Sequence, residues 1–238
     1  MRKTAKYQIK ETIVTVIAAE KYHDVCMASI RRSRAELEQY ILKDPYFKVT
    51  FDPYHCDAGA PEVVKRMADA SRIAGVGPMA AVAGTIAWIA VEDMVKAGAS
   101  FALVDNGGDI AVINDEPVLA GIYAGESPIK GLALEIPGRD TILGICTSAG
   151  TVGPSISLGN SDAAMVISEN VSLADASATA LGNRIVDSTS LESAFDFLKG
   201  MPEIQGALGI IGDKMATYGR LPKIVRARVD YEKITRGD

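Results

Sequence analysis

Asp175 and Thr179 lie four residues apart in the run Leu173–Ile185. On a helix that spacing sets a carboxylate and a hydroxyl on one face. Such a pair suits Mg²⁺, a hard cation that takes oxygen ligands and completes its shell with water and phosphate oxygens. The same aspartate has a second reading. Ser172-x-x-Asp175 has the spacing of a capping box, which would tie the carboxylate to the helix's own N-terminus, and spacing alone favours the cap.

Three glycine-rich segments could present backbone to a ligand. Gly75-Val76-Gly77-Pro78-Met79 stands at the mouth of an apolar helix, where free N–H groups and the helix dipole favour an anion. A tight helix–helix turn is the simpler account, and the one favoured. Asp105-Asn106-Gly107-Gly108-Asp109 separates two apolar runs and can be a hairpin turn, although two successive glycines also let a ligand reach the chain. Cys146-Thr147-Ser148-Ala149-Gly150-Thr151-Val152-Gly153-Pro154-Ser155 offers four hydroxyls and two glycines directly after an apolar run. Such a loop can hold a phosphate. It is not a Walker A loop, since no Gly-Lys-Ser/Thr follows. With no His or Lys nearby to activate a serine, no catalytic residue is assigned.

These segments need elements to position them. Residues 7–18 are rich in β-branched residues and read as a strand. His23–Leu42 keeps a helical period and stops before Asp44-Pro45, where proline pushes its predecessor out of the α region. Residues 44–60, with Pro45, Pro53, Gly59 and several aromatics, read as an ordered loop. Pro61–Ile73 reads as a helix with proline at its first position, and Met79–Lys96 as an apolar helix. Beyond Phe101, short apolar runs at 101–104, 110–113, 118–123, 131–135 and 142–146 alternate with turn residues, the pattern of antiparallel strands. Ala163–Ser168, Ala207–Ile211 and Ile224–Val229 read as further strands, Leu173–Ile185 and Leu191–Lys199 as helices. No repeat or linker interrupts the chain. The expectation is one α+β domain over residues 1–238, a mostly antiparallel sheet packed with helices.

Composition narrows the function. At 238 residues and 48% hydrophobic, the chain can bury a core without disulfides or a structural metal. Aromatics at 6% favour pockets lined by backbone and small side chains over a base-stacking surface. The net charge of −5 argues against a nucleic-acid partner. The basic sets Arg31, Arg32, Arg34 and Arg220, Lys223, Arg226, Arg228 are interspersed with apolar residues and read as solvated faces. Cys26, Cys56 and Cys146 show no CxxC or Cys/His spacing for zinc. Cys26 shares a helical face with Ile30, Leu37 and Ile41, a core position. His55 and Cys56, adjacent in an extended segment, point to opposite sides and make no catalytic pair. The N-terminus lacks the apolar stretch of a signal peptide, and the longest uncharged apolar run, Met79–Val91, falls short of a bilayer span. A cytoplasmic protein with no membrane partner is expected.

In their order, the strings VDNGGDIAV (104–112), CTSAGTVGPS (146–155) and ADASATALGN (174–183) resemble the ApbE superfamily, the FAD:protein FMN transferases. GVGPMAAVAG (75–84) is similar to a short, uncharacterised branch of that superfamily. The resemblance covers roughly residues 60–185 and implies an ApbE-like fold. It implies Mg²⁺ on Asp175 and Thr179 beside the pyrophosphate of FAD. It places Gly77, Asn106, Gly107, Gly108, Asp109, Thr147 and Ser148 near a flavin nucleotide or related ligand. With it, metal and cap stand level as readings of Asp175. The transferases carry a His-Ile-Ile-Asp-Pro-like segment between the last two motifs. Here that interval holds no histidine, SISLGNSD (155–162) stands in its place, and the export signal is missing. The resemblance therefore implies either a protein that binds a flavin nucleotide or other phosphate-bearing ligand with Mg²⁺, or a non-catalytic binding protein that has lost FMN transfer. A homodimer is compatible with both.

Overall fold

In the computed structural model the described residues are 1–10, 12–149 and 159–227. The chain opens with a hairpin, β1 (Arg2–Ile9) against β2 (Thr12–Ala19), where the sequence predicts one strand over 7–18. Lys10 makes the turn at φ 51°, without the Gly, Asn or Pro that would have announced it. A 3-10 turn leads into α1 (His23–Lys43), and the predicted loop contains a single helical turn, α2 (Tyr46–Val49). Next comes α3 (Glu62–Ala74), entered from Pro61 and closed by Gly75 in the left-handed region at φ 73°. The 3-10 turn Pro78–Ala81 then feeds α4 (Val82–Lys96). Strands β3 (Ala102–Asn106), β4 (Asp109–Asn114), β5 (Val118–Ile122), β6 (Leu132–Ile136), β7 (Arg139–Ser148) and β8 (Ala163–Ser168) follow. After α5 (Val171–Arg184), the predicted helix at 191–199 is a 3-10 segment, Ser193–Gly200. The chain continues through β9 (Ile204–Ile211), β10 (Lys214–Gly219) and β11 (Lys223–Arg226). The sequence reading omits β10, a polar, half-exposed edge strand with little apolar signal.

The strands form an eight-stranded sheet, β1-β2-β3-β4-β7-β8-β9-β10, and a three-stranded sheet, β11-β6-β5. Every described pairing is antiparallel, as the short runs and turns require. Alternation along the strands separates two cores. Val104, Ala111, Cys146, Ala164 and Val166 face the helices, while Val112, Leu143, Ile145, Met165 and Ile167 face the small sheet. The result is one α+β domain in three layers, with helices, large sheet and small sheet stacked in that order. Strand β8 is buried along its whole length because both of its faces are covered.

Helix α5 is the central element of the helical layer. It packs on β7, β8, α3 and α4, and Ala174, Ala176, Ala178 and Ala180 let these neighbours approach closely. Asn170 caps it, its side chain accepting the Leu173 N–H at 3.1 Å. Gly144 on β7 lies directly beneath its first turn, where an added Cβ would sit 2.8 Å from Val171 Cα. The segment Pro78–Lys96 is long and apolar enough to cross a bilayer by length and composition. In the fold, its Ile86, Ala87, Ala90, Val91 and Met94 lie in the core beneath α1 and above β3 and β4.

Gly144→Ala should therefore lower stability by about 1–3 kcal/mol through overpacking against backbone that cannot yield. Chemical denaturation checks this; an unchanged midpoint would show that α5 can shift away from β7.

Candidate functional site

The site forms where the turn between β3 and β4, the end of β7, the start of α4 and the second turn of α5 meet. Asn106 and Asp109 face each other across the hairpin, so Gly107 and Gly108 form a two-residue turn with φ of 70° and 103°. Those angles explain the two glycines. The turn is closed by Asp105, whose Oδ1 accepts the Gly108 N–H at 2.9 Å. The space beside it is nevertheless open: a Cβ on Gly107 would meet nothing within 4 Å. Asn106 donates from Nδ2 to the Ala83 carbonyl at 3.0 Å, fastening the hairpin to the first turn of α4. Asp109 Oδ1 accepts the Thr147 N–H at 3.3 Å, fastening it to β7.

Asp175 does not cap its own helix. Asn170 holds that place, and Ser172 instead accepts a hydrogen bond from Thr85 Oγ1 at 2.7 Å. The carboxylate reaches across to α4, where Oδ2 accepts the Gly84 N–H at 2.7 Å. The Ala83 N–H also favours its charged form. Ala81, the residue at the N-terminus of α4, has no side chain able to cap. Asp175 therefore supplies from another helix the acceptor that α4 lacks. Glycine at 84 is required by the close crossing, since a Cβ there would lie 2.8 Å from Asp175 Cβ.

Of the sequence-predicted residues, the structure brings Asn106, Gly107, Gly108, Asp109 and Asp175 to this junction, along with the backbone of Thr147. The Thr147 side chain belongs to the small-sheet side, opposite Met165, while Ser148 is buried on the helix-facing side beside its partner Ala164. Thr179 lies half-buried one turn beyond Asp175, and its hydroxyl makes no hydrogen bond among the described residues. Gly77 stands apart: the position of its Cβ is filled by the Thr50 carbonyl at 2.1 Å, so close packing explains this glycine. Residues 150–155 of the third glycine-rich segment lie outside the described residues. The sequence reading missed Gly84 as a donor and Cys146 as a site neighbour. The Cys146 thiol donates to the Val171 carbonyl at 3.7 Å. His55 is exposed while Cys56 packs against the core, so the two do point apart.

The junction concentrates negative charge, with Asp175 buried and Asp109 half-buried. Burial pushes the Asp175 carboxyl up to about 7, against the pull of the two α4 amides. Asp109 is raised well above the carboxylate range by loss of solvent, then by the charges of Asp175 and Asp105. Burial, then Asp109 and Asp175, likewise raise the Cys146 thiol. Neither Asp109 nor Asp175 forms an ion pair among the described residues. Among the described residues, no three His, Cys, Asp or Glu side chains converge there as a ready-made metal cage. A cation bound here would have to complete its shell with hydroxyl, carbonyl, water or ligand oxygens, as Mg²⁺ does.

A raised folded-state pKa means that the native protein holds its proton while the unfolded chain has released it. Between pH of about 4 and about 7, rising pH therefore costs the fold stability, by up to a few kcal/mol, and above that window the loss is complete. With EDTA present, the melting temperature of wild type should fall across this window relative to that of Asp175→Asn. Thermal melts at stepped pH test this; parallel curves throughout would show that Asp175 ionises without cost.

Comparison with known proteins agrees with this architecture. A family model described as "AbpE bacteria" matches residues 2–194. A "UPF0280 protein" from Methanocella arvoryzae is 74% identical over 238 residues, covering 100% of this chain and 97% of that one. Another from Methanosarcina barkeri is 56% identical, covering 97% and 92%. Among solved structures, the apo flavinyl transferase ApbE of Pseudomonas stutzeri superposes with a TM-score of 0.58 at 12% identity, covering 100% of this chain and 98% of that chain. The ApbE protein of Thermotoga maritima gives 0.59 at 11%, covering 99% and 100%. At such identities the structures establish the fold. The family match and the close relatives establish that this chain belongs to the ApbE-like family, in its UPF0280 branch.

Proposed function

We propose that the protein binds a flavin nucleotide, or another phosphate-bearing ligand, together with Mg²⁺ at the junction of the β3–β4 turn, α4 and α5. The observation that carries this reading is a pair of carboxylates, Asp175 buried and Asp109 half-buried, that meet at one junction with no ion-pair partner among the described residues. A divalent cation would supply that partner. Asp175 and Thr179 would hold it, with Asn106, Gly107, Gly108, Asp109, Ser148 and the Thr147 amide facing the ligand. The fit is chemical: these are hard oxygen donors, with a backbone left open beside Gly107. When bound, the cation would neutralise phosphate charge. The protein's own part is to orient the ligand, with α4 fixed by Asp175 and the hairpin fixed by Asn106. Flavin enters this reading through the fold, since relatives of the same architecture are named flavin transferases.

A second reading keeps the binding site without the transfer. No histidine occurs between Ser148 and Ala174, where the transferases carry one. Passing FMN to a protein hydroxyl needs a group to accept the proton of that hydroxyl. Among the described residues at the junction, the candidates are carboxylates already committed to backbone amides.

Differential scanning fluorimetry tests the binding itself. With FAD, Mg²⁺ should raise the melting temperature of wild type by several degrees, as a ligand selective for the native state must. Asp175→Ala and Thr179→Val should each abolish the Mg²⁺-dependent part. Thr179→Val retains the β-branched shape and removes only the hydroxyl. No rise with FAD or any simpler nucleotide would refute the metal and nucleotide assignment.

A further inference from the structure

One peptide group in the first turn of α4 is held from both ends. Its carbonyl, on Ala83, accepts the Asn106 Nδ2–H at 3.0 Å, and its amide, on Gly84, donates to Asp175 Oδ2 at 2.7 Å. The first partner stands in the large sheet directly before the Gly107-Gly108 turn, and the second on α5. A peptide group is planar, so its C=O and N–H cannot reorient independently. Turning it away from Asn106 therefore misdirects the hydrogen bond to Asp175. Donation to the carbonyl also polarises the amide, and each bond strengthens the other. We propose that this peptide couples the two halves of the junction, with Asn106 a positioning residue that sets the Asp175 carboxylate for a cation.

The surroundings give Asn106 the rigidity that such a role requires. It is buried, and it pairs with Val14 of β2 on one side and Asp109 of β4 on the other. Asp175 is buried as well. The two helices cross so closely at Gly84 that a Cβ there would lie 3.1 Å from Asp175 Oδ2. A second bond joins the same helices one residue further on, from Thr85 Oγ1 to Ser172 Oγ at 2.7 Å. That bond holds α4 to α5 without involving the Ala83–Gly84 peptide. It therefore separates coupling through the peptide from a general loosening of α4.

The inference rests on the binding reading above for the cation, while the coupling itself is a property of the fold. Its consequence is reciprocal. A ligand that shifts the β3–β4 turn alters the hold on Asp175, and a cation drawn to Asp175 steadies the turn.

Double-mutant cycles on the full chain, read by chemical denaturation in EDTA, test the coupling with no ligand present. The rise in unfolding constant caused by Asn106→Ala should shrink at least about fivefold when Asp175→Ala is already in place. Combined with Thr85→Val, which removes only the other interhelical bond, the two effects should multiply to within about twofold. Independent effects of Asn106 and Asp175 overturn the proposal. So does an equal coupling of Asn106 to Thr85, the sign of a helix that merely loosens. If the alanine pair does not fold, the milder Asn106→Ser and Asp175→Asn decide by the same criteria. A second readout is the Mg²⁺ dependence of melting at saturating FAD. Asn106→Ala should weaken the apparent Mg²⁺ affinity at least about fivefold, and Thr85→Val should change it less than about twofold. An undiminished Mg²⁺ affinity in Asn106→Ala overturns the positioning role. A wild type with no Mg²⁺ response refutes the binding reading and the role assigned to Asn106 together, a failure distinct from that of the ligand-free cycle.

Discussion

The hydrogen bond from the Gly84 amide to the Asp175 carboxylate is the constraint on which the helical layer depends. A helix leaves its first amides without partners, and burial makes that omission costly. Helix α4 begins Ala81-Val82-Ala83-Gly84 and has no side chain of its own to meet the need. The acceptor arrives from α5, so neither helix can rotate without unsatisfying the other. The arrangement also explains three residue choices at once: glycine at 84, the small residues of α5, and the Thr85–Ser172 hydrogen bond one residue further on.

That solution carries an electrostatic cost. An aspartate held by two amides would ordinarily be a stronger acid. Here burial outweighs the amides and raises its pKa instead. Asp109 then adds a second carboxyl across the junction, itself tied to the Thr147 amide. If stability were the only requirement, an asparagine at either position could accept the same N–H bond without charge. Two carboxyls where a neutral acceptor would serve are what support the proposed binding of a cation here.

Much of this was legible in the sequence, for identifiable reasons. The strands β3 to β8 announced themselves through short apolar runs between Gly, Asp, Asn and Pro turns. Helices α1, α3 and α4 showed through periodicity and through Pro61 and Gly75 at the ends of α3. The turn at Lys10 was hidden because a lysine adopts the left-handed conformation there. The capping box misled because its spacing is a local rule, and tertiary geometry overruled it. Ser172 and Asp175 both have partners on α4, ninety or so residues upstream. No local pattern encodes a contact of that kind. The open space beside Gly107 and the packing behind Gly77 separate two glycines that look alike in sequence.

The difference between those glycines bears on what the family's fold can keep while its chemistry changes. Gly107 and Gly108 satisfy a hairpin, and Gly77 and Gly84 satisfy close packing. All four are required by the architecture whether or not a ligand binds. Their presence is therefore weak testimony for any particular reaction. Asp109 and Asp175 are different, because their charge is a burden that the architecture alone does not require. A lineage that retained the scaffold and abandoned the ligand would be under no constraint to keep both as acids. The two carboxyls thus support the proposed site, while the glycines around them serve the fold.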